Sequence, residues 1–253
     1  MLVDSHCHLD AAEFAADRET VLKRARKAGV IAQIVPAIRL ADFADLRELC
    51  AQHADLHAAY GLHPMYLADH APAHLHALRD WIKRERPIAI GECGLDFYID
   101  GLDATTQRDY FKAQLELARE FDLPVILHAR RAVEEVIATL RRIGGLRGVV
   151  HSFSGSDEQA RQLWDTGFLI GLGGPVTYER ARRLRALASN MPLEFLLIET
   201  DAPDQPLASQ RGQRNEPAAL LEVAQTIAHL RGISLETLAL ATSANARRLF
   251  AFH

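Results

Sequence analysis

Residue types that can bind metal ions recur in this chain at one kind of position, directly after short apolar runs. Five histidines and two carboxylates occupy such positions: His6, His8, His63, Glu92, His128, His151 and Asp201. Imidazole nitrogens combined with carboxylate oxygens are ligands of divalent cations such as Zn²⁺ and Mn²⁺. If the fold brings these side chains together, they form a site where bound cations can activate water for hydrolysis.

His6 and His8 are separated by one residue at the end of the first apolar run. Alternate side chains of an extended chain point to the same face, so both imidazoles are expected on one side. The alternative is a pair of buried histidines that are satisfied by hydrogen bonds. The other potential ligands at equivalent positions favour the metal site.

Eight short apolar runs predict strands, and segments of helical periodicity follow them. The predicted strands span 2–4, 31–35, 56–60, 88–90, 125–127, 148–150, 168–172 and 195–198. The predicted helices span 18–28, 43–52, 75–84, 106–121, 133–143, 158–166, 180–188 and 217–230, followed by a last helix over 235–249. Strands that are apolar on both faces and alternate with helices are typical of parallel sheets. We predict an α/β protein with one (β/α)₈ TIM-barrel domain over 1–253 and an extra C-terminal helix; a doubly wound open sheet is the alternative.

In such a barrel, residues that follow the strands converge on the C-terminal rim, where these folds build active sites. A barrel with a His-x-His pair on its first strand invites comparison with amidohydrolases, in which a carbamoylated lysine commonly bridges two metals. The four lysines of this chain, Lys23, Lys27, Lys83 and Lys112, all fall in predicted helices. The bridge must then be a carboxylate, and Glu92 is the candidate.

Composition limits the function classes. The net charge of −4 argues against a broad basic surface for nucleic acid, although bound cations can supply positive charge locally. Three cysteines without a CxxC pair argue against a disulfide framework. The sequence shows neither an apolar run of membrane-spanning length nor a signal peptide, so we expect a cytoplasmic protein that does not bind membranes.

Seven segments resemble the TatD family of metal-dependent deoxyribonucleases, over essentially the whole chain. In order they are SHCHLD, GLHP, GECGLDFY, PVILHAR, VVHSFSG, GLGGPVTY and LLIETDAPD. GGPVTYERA, TDAPDQPL and the later Asn215-Glu216-Pro217 resemble the YjjV-like branch of that family. The resemblance implies a barrel of the metallo-dependent hydrolase type.

The resemblance also implies a centre of two divalent cations, which could be Mg²⁺, Mn²⁺ or Zn²⁺. The implied ligands are His6, His8 and Asp201 for one cation, His128 and His151 for the other, and Glu92 as the bridge. Glu92 and Asp201 are the expected catalytic residues, because Asp201 is placed to orient the attacking water or to accept its proton. Glu199, two residues before Asp201, is expected to bind a third cation, to support this centre or to pair with an arginine.

Four residues are expected to contact substrate. His63 corresponds to a substrate-contacting histidine of the family, and Arg130 could bind a phosphate oxygen with its guanidinium fork. Gly173 and Gly174 follow the seventh predicted strand, where barrels frequently bind phosphate. The alternatives are a loop hydrogen bond for His63, an ion pair for Arg130 and a tight turn for the glycines.

The leading functional hypothesis is therefore a hydrolase that cleaves phosphodiester bonds of DNA with a metal-activated water. DNA or another phosphodiester would bind transiently at the metals, and the sequence indicates no obligate protein partner. A deacylase or lactonase is the first alternative, because the same activated water can attack a carbonyl carbon. The second alternative is a non-catalytic barrel that binds metal.

Overall fold

The computed structural model describes residues 1–252 and contains eight parallel strands that alternate with helices. The strands are β1 (Leu2–Asp4), β2 (Val30–Pro36), β3 (Leu56–Tyr60), β4 (Ala89–Asp96), β5 (Val125–Arg130), β6 (Gly148–Val150), β7 (Phe168–Leu172) and β8 (Leu196–Ile198). The helices are α1 (Arg18–Lys27), α2 (Phe43–Gln52), α3 (Pro72–Glu85), α4 (Ala104–Phe121), α5 (Val133–Ile143), α6 (Asp157–Trp164), α7 (Arg182–Asn190), α8 (Leu220–Arg231) and α9 (Leu235–Phe250). Among residues 1–252, every helix falls short of the length and apolar character that a membrane crossing needs.

The strands pair in the order of the sequence, from β1 to β8. Backbone hydrogen bonds then connect the two ends of the sheet: the Ser5 N–H donates to the Ile198 carbonyl at 3.1 Å, and the Asp201 N–H donates to the His6 carbonyl at 2.9 Å. Sequential order with joined ends is a barrel, so the predicted TIM barrel is confirmed and the open sheet is wrong. The last residue of the predicted domain, 253, lies outside the described residues.

One end of the barrel interior is apolar. Every strand contributes to this cluster, which includes Val3, Ile34, Ala59, Ala89, Ile126, Val149, Leu169 and Leu197. Leu249, Phe250 and Phe252 pack against it, and the Ser243 hydroxyl of α9 donates to the carbonyl of Met1 before β1. The C-terminal helix therefore closes the N-terminal end of the barrel, which leaves the opposite end for polar residues.

β4 and β5 are longer than predicted, and this changes the position of two site residues. Gly94 pairs with His128 and Asp96 pairs with Arg130, so the ladder continues through polar sequence. The strands approach so closely that a Cβ atom on Gly94 would lie 2.0 Å from the His128 carbonyl oxygen. Glu92 and His128 consequently lie within strands and not after them. The sequence prediction ended each strand at its last apolar residue, whereas backbone hydrogen bonding continues through polar residues.

We predict that Phe250→Ala destabilises the barrel by about 3–5 kcal/mol, because it leaves a cavity at the apolar end of the interior. Phe250 is 2% exposed, whereas Leu240 on the same helix is 59% exposed and serves as the matched control. Urea unfolding in the presence of a chelator measures both variants. Leu240→Ala should change the free energy of unfolding by about 0.5 kcal/mol or less, and equal effects of the two substitutions would contradict this account of α9.

Candidate metal centre

Glu92 lies at the centre of the polar end of the barrel, and its two carboxylate oxygens face different groups. Oε2 lies 3.2 Å from His6 Nε2 and 3.4 Å from His8 Nε2. Oε1 lies 2.7 Å from His151 Nε2 and 3.0 Å from His128 Nδ1. Glu92 is 1% exposed, and its Oε2 has no hydrogen-bond partner among the described residues. Because an unsatisfied buried carboxylate oxygen is costly, this donor set fits a cation on that side.

Asp201 completes the group on the Oε2 side of Glu92. His6, His8 and Asp201 each offer one ligand atom, and these atoms lie within 4.8 Å of one another. The His6 and His8 Nε2 atoms are 3.2 Å apart, and Asp201 Oδ1 is 3.3 Å from His6 Nε2. Both histidines of the His-x-His pair thus face the same side, as the alternation of an extended chain predicts.

A second group lies on the Oε1 side of Glu92. His128 Nδ1 and His151 Nε2 are 3.3 Å apart, and each lies within 3.0 Å of Oε1. One carboxylate therefore faces two sets of imidazoles through separate oxygens. This is the arrangement that a bridging ligand between two cations requires.

His63 also contacts Glu92. The Met65 N–H donates to His63 Nδ1 at 3.1 Å, so the proton of the neutral ring resides on Nε2. Nε2 then donates to Glu92 Oε1 at 2.9 Å. In the structure His63 therefore orients the central carboxylate, and its role as a substrate contact stays a prediction.

Asp96 belongs to the centre but is absent from the sequence-based site. Its Oδ2 accepts a hydrogen bond from His128 Nε2 at 2.8 Å, which directs Nδ1 of that ring towards Glu92. A carboxylate behind a histidine ligand fixes the ring and increases its basicity. The sequence feature that could have identified Asp96 is its spacing of four residues from Glu92 on β4, since residues an even number of positions apart on a strand share a face.

Glu199 supports the His151 side of the centre. It is fully buried, accepts hydrogen bonds from the Ser152 N–H and the Ser5 hydroxyl, and has one oxygen 3.9 Å from His151 Nδ1. Among residues 1–252 it has no arginine within ion-pair distance. The alternative of an arginine partner is therefore wrong, because the neighbouring strands present backbone and serine donors at this position.

The segment that carries Asp201 is held in an unusual conformation. Asp201 has a φ of 56°, in the left-handed region that few residues other than glycine adopt. The buried Asn215 amide donates to the carbonyl oxygens of Thr200 and Asp204, both at 2.8 Å, and the Gln205 amide donates to Asp201 Oδ2. These bonds restrain the turn that places Asp201 at the centre.

The buried charges couple the protonation states of the centre. Burial lowers the pKa of His63 to about 4. Burial opposes the charged forms of His8 and His151, yet contact with Glu92 raises their pKa values to about 9 and about 10. Burial opposes the carboxylate form of Glu92 too, but the fields of His151 and His63 hold its pKa well below the usual value. Without cations, the centre therefore keeps protons on His8 and His151 at neutral pH.

Two cavities meet at this centre. The first, of about 640 Å³, carries the carboxylates of Asp10, Glu13, Asp42 and Asp45, and we name it the acidic lobe. The second, of about 540 Å³, is lined by residues that include Arg130, Ser152, Ser154 and Gly173, and we name it the Arg130 lobe. His128, His151 and Asp201 line both lobes. A substrate can therefore extend from the centre in two directions.

The predicted substrate residues fall at different places relative to these lobes. His63 lines the acidic lobe, whereas Arg130 and Gly173 line the Arg130 lobe. Arg130 has no carboxylate within 4.0 Å in the described part of the chain, so the ion-pair alternative is wrong for it. Gly174 is buried, and a Cβ atom there would lie 2.1 Å from the Gln205 carbonyl oxygen. Close backbone packing therefore requires this glycine, and the structure does not bring it to the cleft.

The sequence model of the family described as "TatD related DNase" matches residues 3–251. The chain belongs to this family. It is 40% identical to "Uncharacterized metal-dependent hydrolase YjjV" of Escherichia coli (strain K12), over 98% of this chain and 97% of that protein. It is 36% identical to "3′-5′ ssDNA/RNA exonuclease TatD" of Erwinia tasmaniensis, over 98% of this chain and 99% of that protein.

A solved structure of a TatD-family protein has the same fold. The crystal structure of YjjV from Escherichia coli K12 superposes with a TM-score of 0.96 and 39% identity, covering 100% of this chain and 98% of that one. The predicted resemblance to the TatD family and to YjjV is confirmed. The predicted metal-dependent hydrolase is confirmed at the level of the family, while the number and identity of the cations stay predictions.

We predict that Asp96→Ala weakens Mn²⁺ binding by about 10- to 100-fold, because His128 loses the carboxylate that orients its ring. Isothermal titration calorimetry on metal-free protein measures the affinity. Asp100→Ala is the matched control, since Asp100 is an exposed aspartate of the following loop. If the two variants bound Mn²⁺ equally well, the orienting role of Asp96 would be refuted.

We also predict that Mn²⁺ affinity increases with pH. His8 and His151 have raised pKa values, about 9 and about 10, so both rings are protonated near neutrality without metal. A cation requires neutral rings and expels these protons, so between pH ~6 and ~8 the affinity should rise by up to about tenfold per pH unit for each proton released. Calorimetry in buffers of different ionisation enthalpy counts the protons. A constant affinity over this interval would contradict the prediction.

Proposed function

We propose that this TatD-family chain is a metal-dependent hydrolase that cleaves phosphodiester bonds of DNA or related nucleic acid. The observation that carries the proposal is Glu92, whose oxygens face His6 and His8 on one side and His128 and His151 on the other at 2.7–3.4 Å. The name of the Erwinia tasmaniensis relative, an exonuclease acting on ssDNA and RNA, supports the same class of substrate.

In this proposal His6, His8 and Asp201 would hold one divalent cation, His128 and His151 would hold another, and Glu92 would contribute to both. When bound, two divalent cations would supply a water nucleophile at neutral pH and would neutralise charge on the attacking and leaving oxygens of a phosphodiester. The protein supplies the fixed positions of the ligands. His63, Asp96 and Asn215 each restrain a ligand or the segment that carries it.

Asp201 is the proposed acceptor of the proton that the attacking water loses. Its side chain lies at the junction of the two lobes, and burial raises the pKa of its carboxyl group. A raised pKa makes a carboxylate a stronger base, which favours proton transfer during attack. The amide of Gln205 binds Oδ2, so Oδ1 is the atom that faces His6 and the reaction site.

Arg130 is the proposed contact for a phosphate oxygen. It lies two residues after His128 on β5, shares a lobe with the metal-binding cluster and is not neutralised by a carboxylate in the described residues. A guanidinium recognises phosphate through parallel hydrogen bonds and keeps its charge at all relevant pH values. Gly173, in the same lobe, is the proposed site where substrate approaches the backbone closely.

A carbonyl hydrolase and a non-catalytic barrel remain alternative outcomes of the experiment. Attack on an ester or lactone would use the same cluster, and no contact in the described residues favours it. A barrel without activity would be expected to lack part of the ligand set. All six implied ligands lie in the cluster, which supports catalysis.

Purified protein should degrade single-stranded DNA with Mg²⁺ or Mn²⁺ and lose this activity after chelation. Asp201→Asn should lower kcat by about 10²–10⁴-fold, because the proton acceptor is removed. Asp109→Asn is the control, since Asp109 is exposed on α4 and distant in sequence from every ligand. Gel analysis of labelled oligonucleotides measures both.

A parallel assay separates the chemistries. The metal-loaded protein is given a bis-aryl phosphodiester, aryl esters and lactones under identical conditions. Phosphodiester turnover that depends on metal is the expected result. Turnover of the esters or lactones alone would overturn the nuclease proposal, and absence of turnover on every substrate would support the non-catalytic barrel.

A further inference from the structure

We propose that Arg130 and Tyr98 form a subsite that holds the nucleotide next to the scissile phosphate of an unpaired strand. The inference rests on the proposed function, because it assigns one side of the substrate to the Arg130 lobe. Neither residue is one of the implied ligands, and Tyr98 has no role in the chemistry described above. Their relevance comes from three observations: their stacking, the anchoring of their loop and the distribution of charge between the two lobes.

Arg130 is supported by an aromatic ring instead of a carboxylate. Its guanidinium carbon lies 3.7 Å from the centre of the Tyr98 ring, and that of Arg131 lies 4.6 Å from it. Tyr98 is nevertheless 46% exposed, which makes it one of the few exposed large hydrophobic side chains among residues 1–252. The ring orients Arg130 by a cation–π interaction and leaves its charge available for an anion.

The loop that carries Tyr98 is tied to the metal-binding cluster. Asp96 accepts hydrogen bonds from the N–H groups of Tyr98 and Ile99 through Oδ1, while its Oδ2 accepts one from His128. The Phe97 N–H donates to the Arg130 carbonyl at 2.9 Å. The buried carboxylate of Asp96 thus orients the ring of His128, a proposed metal ligand, and also holds the start of the loop. The subsite therefore has a fixed position relative to the reaction site.

The two lobes differ in charge, and this difference favours one direction for a bound polyanion. Asp201 and Asp204 line both lobes, but the acidic lobe adds the carboxylates of Asp10, Glu13, Asp42 and Asp45. It contains two arginines: Arg18 donates to the carbonyls of Leu9 and Asp10, and Arg39 pairs with the carboxylate of Asp42 at 2.9 Å. Arg130 has no such partner in the described chain. The acidic lobe is therefore the more negative of the two, so a strand of several phosphates should extend along the Arg130 lobe.

These observations define how the strand is held. Arg130 binds the phosphate that follows the scissile one, and the exposed part of Tyr98 contacts the adjoining base. Contact with a base face requires an unpaired base, so the subsite favours single strands and frayed ends over intact duplex. The acidic lobe is left for the short released product, which carries few phosphates.

The test measures binding directly, so that it does not depend on cleavage. The holoprotein is titrated into a fluorescent dT8 oligonucleotide with phosphorothioate linkages, which slow hydrolysis, and anisotropy gives Kd at several salt concentrations. Tyr98→Ala should weaken binding by about tenfold or more, and Tyr98→Phe should retain the affinity of the wild type. Arg130→Ala should weaken binding and reduce the slope of log Kd against log salt by about 0.7, the value for one phosphate contact on a single strand.

Matched controls distinguish the subsite from a loss of fold or a general charge effect. Arg130→Lys keeps the charge and should retain the salt slope while losing part of the affinity, because an ammonium lacks the planar fork. Arg141→Ala removes an exposed arginine near the end of α5 and should leave both quantities unchanged. Elemental analysis of the variants should give the metal content of the wild type, which shows that the barrel is intact.

The outcomes separate this inference from the proposed function. If Tyr98→Ala and Arg130→Ala bind the oligonucleotide more weakly than the wild type, the subsite is supported, whether or not the wild type cleaves phosphodiester DNA. Lack of cleavage by the wild type would overturn only the nuclease proposal. Equal binding by the wild type and both alanine variants overturns the subsite even if cleavage is observed. Absence of oligonucleotide binding by the wild type also overturns it, as does tighter binding of a blunt duplex than of the single strand.

Discussion

The structure depends on the burial of one carboxylate, that of Glu92, among imidazoles at the end of a barrel. Removing a carboxylate from water is costly, and it is tolerated only where opposite charge and hydrogen-bond donors surround it. His63 supplies a donor at 2.9 Å, His128 and His151 lie close to the same oxygen, and the second oxygen forms no hydrogen bond within the described residues. The arrangement is thus satisfied on one side and open on the other, which is why we propose that cations complete it.

The barrel interior is apolar at one end and polar at the other, and Glu92 lies at the polar end. Apolar residues from all eight strands and the end of α9 fill one end, so the polar cluster is confined to the other. Hydrogen bonds then orient two of the proposed ligands: Asp96 orients the ring of His128, and Asn215 restrains the turn that carries Asp201. Catalytic geometry of this kind needs such supports, because ligands held only by flexible loops would not keep a fixed spacing.

Much of this could be predicted from the sequence because apolar runs and ligand types alternate so regularly. The strand count, the barrel and the convergence of residues such as His6 and His151 follow from local patterns. Other features depend on contacts between distant segments. Gly174 fits a phosphate loop in sequence, but the structure requires a glycine there because the Gln205 backbone packs closely against it. Asp96 could be linked to His128 only once the pairing of β4 with β5 was known.

The central proposal is that Glu92 lies between two bound cations, and electron paramagnetic resonance of the Mn²⁺-loaded protein tests it most directly. Two Mn²⁺ ions that share a carboxylate are magnetically coupled, so the account predicts a coupled dimanganese spectrum at two equivalents per chain. Glu92→Gln should replace that spectrum with the signal of isolated Mn²⁺ or reduce the bound metal. A spectrum of isolated ions in the wild type, or a coupled spectrum that persists in Glu92→Gln, would contradict the account.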